Sequence, residues 1–343
     1  MSDKDIAREG IVAHENTSGK PRKRGCIGHC GRFWWVYLIA LIVIIVIVVP
    51  VVILVAVPKI AQDKINAAEL DVRDIKALDT QTQNFTMTID SGIRTDGKVH
   101  AKVAPFEGVM YLEDWAPQRP FAKIQFPETS SAASQDVSVK QFVNIEDMEA
   151  FTVFNTWLLL NNTLRVTIKG DTSVRVDGIA RDYPVVFKKT TTMPGLNLFK
   201  GTSVSDPKII TGNHTEDNGA NFQGTVTIPN QSHVTFEVGN ATFFNYLGDQ
   251  DVGEVYINNM TIRPGDNVFP MTAKVSNEAV VAAMTKRPAC ETGKLTFGLR
   301  GKKVVNHGQP LPYFADSLAS ANQTVEIDIS QALGFKIPCS QTS

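Results

Sequence analysis

The feature that most constrains this chain is an uncharged apolar run from Trp34 to Val57, WWVYLIALIVIIVIVVPVVILVAV. At about 1.5 Å of rise per residue, a helix of this length covers the ~30 Å hydrocarbon core of a bilayer. A cleaved signal peptide has an apolar region of only about 7–15 residues and starts nearer the N-terminus. We therefore predict a transmembrane helix over residues 34–57 and not a cleaved signal. Membrane helices tolerate proline, so Pro50 is compatible with a span. We expect a kink there.

The residues that flank the run predict its orientation. Five Lys or Arg side chains lie between residues 20 and 32, whereas only Lys59 and Lys64 follow the run closely. Because basic residues are retained on the cytoplasmic side, the N-terminus is expected in the cytosol. Everything after about Pro58 is then lumenal or extracellular, in a single-pass type II arrangement. Aromatic rings favour the headgroup level, so three side chains are predicted to lie at the membrane interface: Trp34, Trp35 and Tyr37.

Residues 1–33 are predicted to form a disordered, basic cytosolic tail, with seven Lys or Arg against four Asp or Glu. The rest of the chain is mildly acidic, which argues against nucleic-acid binding. The tail is expected to attract anionic lipid, and Cys26 and Cys30 are candidates for palmitoylation. A zinc site at Cys26, His29 and Cys30 is disfavoured, because structural zinc usually needs a second pair of ligands.

Two features of the segment after the run fit an oxidising compartment. Cys290 and Cys339 could form one disulfide there, with two free buried thiols as the alternative. Asn-x-Ser/Thr triplets are acceptors for N-glycosylation in an exposed lumenal chain, although some arise by chance. The same triplet at Asn16 should stay unmodified. The candidate glycosylation sites after the run are Asn84, Asn161, Asn213, Asn230, Asn240, Asn259 and Asn322.

Between Phe85 and Ile329, apolar residues often alternate with polar ones, which is typical of strands with one buried face. Long helical patterns are scarce. We predict a mainly β fold, in which the N-terminal transmembrane helix is followed by two immunoglobulin/fibronectin-like β-sandwich units. Residues 58–68 are predicted to be a membrane-proximal stalk, and the units span residues 69–200 and 201–343. Residues 61–75 fit either a helical stripe or the start of a strand.

Three segments carry a family resemblance: PGLNLFKG at residues 194–201, TVTIPNQSHVTFEVGNATFFNYL at 225–247, and GEVYINNMTIRPGDN at 253–267. Together with the single span, they resemble a fungal single-span membrane family of unassigned function, whose ectodomain resembles tandem late-embryogenesis-abundant type 2 β-sandwiches. Gln231 departs from that pattern, which often has proline there. The resemblance implies a vacuolar or other endomembrane protein, and a link to lipid binding, lipid signalling or autophagy.

No motif in the sequence predicts an enzyme. Asp90-Ser91-Gly92 matches only one of the two turns that an aspartic protease needs, and a strand-ending turn is the better interpretation. Asp249, Asp251 and Glu254 offer three carboxylates, fewer oxygens than calcium usually takes, so a solvated turn is preferred. Zinc-protease, nucleophile-elbow and phosphate-loop motifs do not occur in the sequence. No cofactor and no metal are predicted.

The sequence therefore predicts a membrane protein that acts by binding. In the first hypothesis, an apolar cleft near the membrane holds a membrane lipid, and the protein resides in the vacuolar membrane with a lumenal C-terminus. The alternative is an adhesion or signalling module, at the plasma membrane or in the lumen, that binds a protein partner. The two hypotheses differ in what the folded module should contain. The first needs an elongated apolar pocket, whereas the second needs a flat surface.

Overall fold

The computed structural model describes residues 26–210 and 219–340. The chain divides into two compact units, Met1–Ala56 and Val57–Ser343. In the first unit, helix α1 (Cys26–Val51) contains Pro50 and is followed by a π-helical turn, Val52–Ala56. Proline removes one backbone donor and clashes with the preceding turn, and a local π adjustment is one way to satisfy the carbonyls that this frees.

The helical segment Phe33–Ala67 is the one span candidate in the described part of the chain. Its most apolar window has a mean hydropathy of 3.8, and none of that window is buried. By length and composition it suits a membrane span, and a signal sequence would meet the same criterion. The structure therefore contains the predicted N-terminal apolar helix.

The second unit is built from two β-sheets, which confirms the predicted mainly β, sandwich-like fold. The seventeen strands within the described residues are β1 Glu69–Leu78, β2 Asn84–Arg94, β3 Ala101–Val103, β4 Phe106–Leu112, β5 Ala122–Phe126, β6 Thr129–Ser130, β7 Ser134–Asn144, β8 Thr163–Val176, β9 Asp182–Pro194, β10 Ser203–Ile209, β11 Phe222–Asn230, β12 Val234–Leu247, β13 Gln250–Ile262, β14 Gly265–Val275, β15 Lys294–Asn306, β16 Gln309–Pro310 and β17 Gln323–Asp328. The helices are α2 Val57–Ala67, α3 Met148–Leu160, α4 Asn277–Met284, α5 Ala289–Thr292, α6 Pro312–Ala319 and α7 Ile329–Leu333.

The larger sheet has eleven strands in the order β10-β11-β14-β13-β12-β1-β2-β7, and β15 pairs with β12, β16 and β17. The smaller sheet has six strands in the order β5-β4-β8-β3-β6, with β9 paired to β8. Strand β1 runs parallel to β12, with Ile75 opposite Val234, whereas the other named strand pairs are antiparallel. The larger sheet therefore contains strands from both of the predicted sandwich units, so the proposed division at residue 200 does not coincide with a division between sheets.

Local signals explain the helices that interrupt this β fold. Helix α3 begins after Asp147, whose side chain accepts a hydrogen bond from the Ala150 backbone N–H at 3.0 Å. Its buried residues Phe151, Asn155 and Leu158 recur at helical spacing and face the core. The ambiguous residues 61–75 contain both predicted elements, since α2 ends at Ala67 and β1 begins at Glu69.

The interpretation of Asp90-Ser91-Gly92 as a strand-ending turn is wrong. All three residues lie inside strand β2, which is paired with β1 on one side and β7 on the other. The Ser91 hydroxyl is buried and donates to the Val137 carbonyl at 3.2 Å. A buried serine is compatible with a central strand when its hydroxyl group is hydrogen-bonded to a backbone carbonyl of a neighbouring strand. The sequence does not show which carbonyl is nearby, so the pattern alone suggested a turn.

Candidate functional site

The first candidate site is a cavity of about 520 Å³ beneath helix α2, which we name the α2 cavity. Strands of both sheets contribute to its walls, and α2 covers one side. Its volume falls within the range of roughly 300–1,000 Å³ that is typical of small-molecule sites. Most of the lining is apolar, and it includes Ile60, Ile65, Ile93, Val103, Phe106 and Phe187.

Helix α2 faces the cavity because its apolar residues lie on one side. Val57, Ala61 and Ile65 are spaced four residues apart and all line the cavity. The Ala61 side chain is buried against Val174 and Val185 in a small hydrophobic cluster. Because alanine is small, the helix fixes its position there without filling the space beneath it.

Polar contacts attach α2 to the free edge of strand β9. The Gln62 side chain donates to the Val186 carbonyl and accepts from the Val186 N–H, each at 2.8 Å. Lys189 donates to the carbonyls of Asn66, at 2.8 Å, and Ala68, at the end of the helix. These bonds satisfy backbone groups that an edge strand and a helix C-terminus would otherwise leave open.

Charged side chains surround part of the cavity wall. Lys64 and Asp96 form an ion pair that contributes to the lining. The hydrogen bond from Lys64 lowers the pKa of the Asp96 carboxyl below its usual value, and the Lys98 backbone N–H acts in the same direction. Asp96 therefore stays ionised as the partner of Lys64. Arg94 also borders the cavity and is exposed.

Leu70 is the junction of three adjoining spaces. It lines the α2 cavity, an interior cavity of about 450 Å³, and a polar opening of about 500 Å³. The interior cavity lies among core side chains that include Phe85, Met110, Phe121, Phe151 and Phe314. The polar opening, which we name the polar mouth, is lined by Glu69, Asp71, Arg94, Lys189, Thr190 and Thr191 besides Ala68 and Leu70. The two apolar cavities and the polar mouth therefore adjoin one another at Leu70.

Lys189 lies at the boundary between the polar mouth and the protein interior. Its partial burial lowers the pKa of the ammonium group below its usual value. A lysine taken partly out of water is held there by the two backbone carbonyls that it contacts. Its charge is less hydrated than that of a surface lysine, so a bound anion would gain more from it.

The predicted glycosylation sites differ widely in exposure. Asn161, Asn240, Asn259 and Asn322 are exposed, and Asn84 is partly buried. Asn230 is 3% exposed, and its amide nitrogen donates to the Val234 carbonyl at 2.8 Å. That nitrogen is already engaged in the folded structure. Asn213 and Asn16 lie outside the described residues, and glycosylation at every site stays a prediction.

The predicted disulfide is confirmed: Cys290 and Cys339 are bonded, with 5.1 Å between their Cα atoms. Cys26 and Cys30 lie in the first turns of helix α1, and nothing is described of their side chains. Trp34, Trp35 and Tyr37 are exposed on the same helix. Palmitoylation and membrane-interface contacts at these residues stay predictions.

Two groups of charged residues look like metal ligands on residue type alone. Asp251 accepts from the Gly253 N–H at 2.9 Å, and Glu254 pairs with Lys302, so these carboxylates stabilise the β12–β13 hairpin region. A second group, Asp79, Glu237 and His307, was not found from the sequence, because its members are far apart in the chain. Glu237 accepts from the Asp79 N–H at 2.6 Å and pairs with His307 at 3.2 Å, which links the ends of three strands.

The sequence indicated an apolar cleft but did not identify its lining residues. The one usable signal was the helical stripe that runs through Ala61 and Ile65, because a stripe on so short a helix must pack against something. The contributions of β3, β6 and β9 carried no such signal, since their inward residues look like those of any strand. Only the pairing of strands that are distant in sequence brings them to one cavity.

Part of the chain is similar to a known domain family. Residues 119–245 match a family model described as "Protein of unknown function (DUF3712)". No curated protein matches this chain in sequence. This match says nothing of a fungal origin or of late-embryogenesis-abundant-type sandwiches, which stay predictions.

Several solved structures are distantly similar. A target of the Northeast Structural Genomics Consortium is 7% identical, with a TM-score of 0.23, over 37% of this chain and 86% of that one. A bacterial adhesin from Mobiluncus mulieris is 9% identical (TM-score 0.20; 69% and 81% covered), and the class 5 fimbriae chaperone CfaA is 8% identical (TM-score 0.19; 71% and 97% covered). Likeness at this level carries no argument about function. The chain is thus similar, over residues 119–245, to a family whose function is unknown.

Proposed function

We propose that this chain is a non-enzymatic type II membrane protein whose β-sandwich module binds a membrane lipid. The observation that carries the proposal is the junction at Leu70, where two apolar cavities of about 520 and 450 Å³ adjoin the charged polar mouth. A lipid has the same division, with an apolar chain attached to a polar headgroup. The site thus offers one environment for each part of such a molecule.

The apolar part of the site supplies the binding free energy. Each methylene group removed from water contributes about 0.8 kcal/mol, so an acyl chain in the α2 cavity gains affinity with every carbon that it buries. Phe106, Phe126 and Phe187 stand close together in this lining, with ring centroids 5.1–6.3 Å apart. Their rings provide a broad apolar wall for a chain.

The polar mouth selects the headgroup. Arg94 and Lys189 supply two cations, which suit a phosphate or carboxylate group. Glu69 and Asp71 lie in the same opening and repel a headgroup that carries excess negative charge. A headgroup with one anionic group and neighbouring hydroxyl or cationic groups fits this combination best.

The position of the site in the chain supports a function at a membrane. Val57 lines the α2 cavity and is the last residue of the apolar run in the sequence. A lipid site tethered so closely to a span would exchange lipid with the bilayer that holds the span. A role in membrane lipid homeostasis or autophagy at the vacuolar membrane, or alternatively at the plasma membrane, belongs to this proposal.

The test is the lipid content of the purified protein. We expect the full chain, extracted from membranes into lipid-free amphipol, to carry a stoichiometric lipid that mass spectrometry identifies. Ala61→Trp places an indole in the α2 cavity and should abolish retention of the lipid. Asp63→Trp adds the same side chain on the exposed side of α2 and should leave it unchanged.

Two results would overturn the proposal. One is wild-type protein without bound lipid, and the other is equal lipid content in the two tryptophan variants. If the lipid-free protein instead captured a specific protein partner, the adhesion or signalling alternative would replace lipid binding. Melting curves of both variants report whether Ala61→Trp folds, and a direct lipid-transfer assay on wild-type protein tests the proposal without any variant.

A further inference from the structure

Another cavity of about 290 Å³ lies among strands β10–β15 and β17, covered by α4 and the segment from Ile329 to Ile337. We name it the C-terminal cavity. It shares no lining residue with the α2 cavity, the interior cavity or the polar mouth. Its lining is mainly apolar and includes Phe222, Val255, Met271, Phe297, Ile327 and Leu333. A ligand here would therefore contact a different set of lining residues from the lipid proposed above.

The lining of the C-terminal cavity contains no Asp, Glu, Lys, Arg or His among the described residues. A charged group placed there would lose its hydration without gaining a partner. The cavity therefore excludes fatty-acid carboxylates and phospholipid headgroups. In this respect it is the opposite of the polar mouth.

One polar side chain in this apolar wall lacks a partner. Asn245 is 3% exposed, lies on β12 between β13 and β15, and lines the cavity. Its Oδ1 atom is buried without a hydrogen-bond partner in the described part of the chain. Buried amide oxygens are nearly always satisfied, because leaving one unpaired costs the lost hydration. This atom therefore calls for a donor from outside the protein.

The other polar side chains of the lining are already engaged. Asn221 donates to the Val275 carbonyl at 2.8 Å and to the Asn277 side chain at 3.2 Å. The Thr202 hydroxyl donates to the Phe199 carbonyl at 2.7 Å. Among the described residues, Oδ1 of Asn245 is thus the one buried side-chain polar atom of the lining without a hydrogen-bond partner.

An internal water molecule is a poor donor for Oδ1 of Asn245. Buried waters typically make two to four hydrogen bonds to polar groups, whereas the cavity lining is mainly apolar and Asn245 lies opposite Leu299 of β15. A molecule with one donor and a large apolar body satisfies the oxygen and fills the remaining volume. Entry is possible where Val281 and Ile209, which line the cavity, are 47% and 38% exposed.

The segment over the cavity is held in place covalently. Cys339, two residues after Ile337, is bonded to Cys290 in α5, the helix that follows α4 in the chain. The Ser340 N–H donates to the Thr285 carbonyl at 2.9 Å, at the end of α4. These contacts keep Leu333 and Ile337 over the cavity and define its shape.

We propose that the C-terminal cavity binds an uncharged apolar molecule with a single hydroxyl group, which donates a hydrogen bond to Oδ1 of Asn245. The class includes long-chain alcohols and other neutral hydroxylated lipids. Recognition combines burial of the apolar body with one directed hydrogen bond. The site is closed to the charged lipids that suit the polar mouth.

The test uses the full chain in nanodiscs and two photoactivatable probes. One is a diazirine-bearing tetradecanol, and the other is its methyl ether, which lacks the hydroxyl donor. We expect the alcohol to label peptides from β13, β14 or residues 325–337, and to label them about fivefold to tenfold more than the ether, the equivalent of one hydrogen bond. Equal labelling by the two probes, or no labelling of these peptides, would overturn the proposal.

Variants separate this proposal from the lipid site. Asn245→Leu should remove the preference for the alcohol, whereas Asn258→Leu, at an exposed position on β13, should retain it. Ala61→Trp should leave the labelling here unchanged, so failure of the α2 site and failure of this one are distinguishable. If Asn245→Leu does not fold, the comparison of the two probes on wild-type protein decides alone.

Discussion

The α2 cavity and the C-terminal cavity lie in the same compact unit and have similar apolar strands as walls, but they differ in how they are closed. The α2 cavity, about 520 Å³, is closed by a helix held through hydrogen bonds and an ion pair, and charged groups reach its lining. The C-terminal cavity, about 290 Å³, is covered by segments fixed by a disulfide, and only neutral groups line it.

The two cavities differ in the charged side chains at their linings and in how their covering segments are held, and not in the apolar strand positions. Inward strand positions supply apolar area in both places. Lys64 and Asp96 bring charge to the lining of the α2 cavity, and Lys189 brings it to the adjoining polar mouth, where α2 meets the edge strand β9. Protein interiors leave few voids larger than a water molecule, so two spaces of this size in one unit support the two binding proposals.

The largest expected effect comes from removing the disulfide with Cys290→Ala and Cys339→Ala. The bridge closes a loop with a sequence separation of 49, and its loss should lower the free energy of unfolding by about 4 kcal/mol through loop-closure entropy. Urea denaturation measures this change. Alcohol labelling of the C-terminal cavity should fall, while lipid in the α2 cavity should stay. If both ligands were lost together, the two cavities would not be closed by separate sets of contacts.

The next effect is expected from Leu70→Trp, which fills the junction of the three spaces. Overfilling a packed site costs about 1–3 kcal/mol, which corresponds to about fivefold to 150-fold in lipid affinity. Lipid retained by the purified protein measures it, and Arg73→Trp on the exposed side of β1 is the matched control. Equal loss in both variants would show that Leu70 is not the junction of the site.

A smaller effect is expected from Lys189→Met, which keeps the length of the side chain but removes its charge. Loss of the hydrogen bonds to Asn66 and Ala68 should cost about 1 kcal/mol of stability near neutral pH. Denaturation midpoints of the variant and the wild type give this number. A more stable variant would show that burial of the charge outweighs its hydrogen bonds.

The same lysine predicts a pH dependence. Burial lowers its pKa in the folded state below the usual 10.5. Between the folded and unfolded pKa values the unfolded chain binds the extra proton, so wild-type stability should rise as the pH increases through this alkaline window. In Lys189→Met this contribution should be absent. Identical slopes in the two proteins would contradict the assignment.

The smallest effects are expected from Glu113→Gln, directly after β4 of the smaller sheet, and from Glu254→Gln, on β13 of the larger sheet. Hydrogen bonds from Thr167 to Glu113 and from Lys302 to Glu254 lower the pKa of each carboxyl below its usual 4.5. Their stabilisation is present above pH 4.5 and lost as the pH falls through the folded pKa. Each variant should lose less than about 1 kcal/mol at pH 7, and nothing in strong acid. A loss that persists in acid would mean that packing, not charge, is the cause.

The strands were predictable because their signal is local. The alternating segments that begin at Phe85, Leu164, Phe222 and Val234 all lie within strands of the structure. The last such segment, from Val325, forms β17 and ends as Ile329 starts helix α7. Alternation reports that one face of a segment is buried, and it needs no knowledge of the neighbouring strand.

The candidate sites were predictable only in outline. An apolar cleft was expected. For residues 61–75 the apolar stripe predicted either a helix or the start of a strand, and α2 is the helical part. The role of Leu70 was not predictable, because it depends on β1 running parallel to β12 across a separation of more than 150 residues. Asn245 looked like an ordinary polar residue in a strand, since nothing near it in the sequence shows that its oxygen is buried without a partner.

The sequence by itself determined the apolar N-terminal helix, the mainly β character of the rest and the two cysteines available for a disulfide, because each depends on residue type and short-range spacing. The tertiary structure alone decided that strands from both predicted units share one sheet, where the three apolar spaces lie, and which polar atoms face them. A cavity is a space that no side chain fills, and an unpaired hydrogen-bonding group is one with no partner atom within bonding distance. Only the packing of segments far apart in the chain determines that.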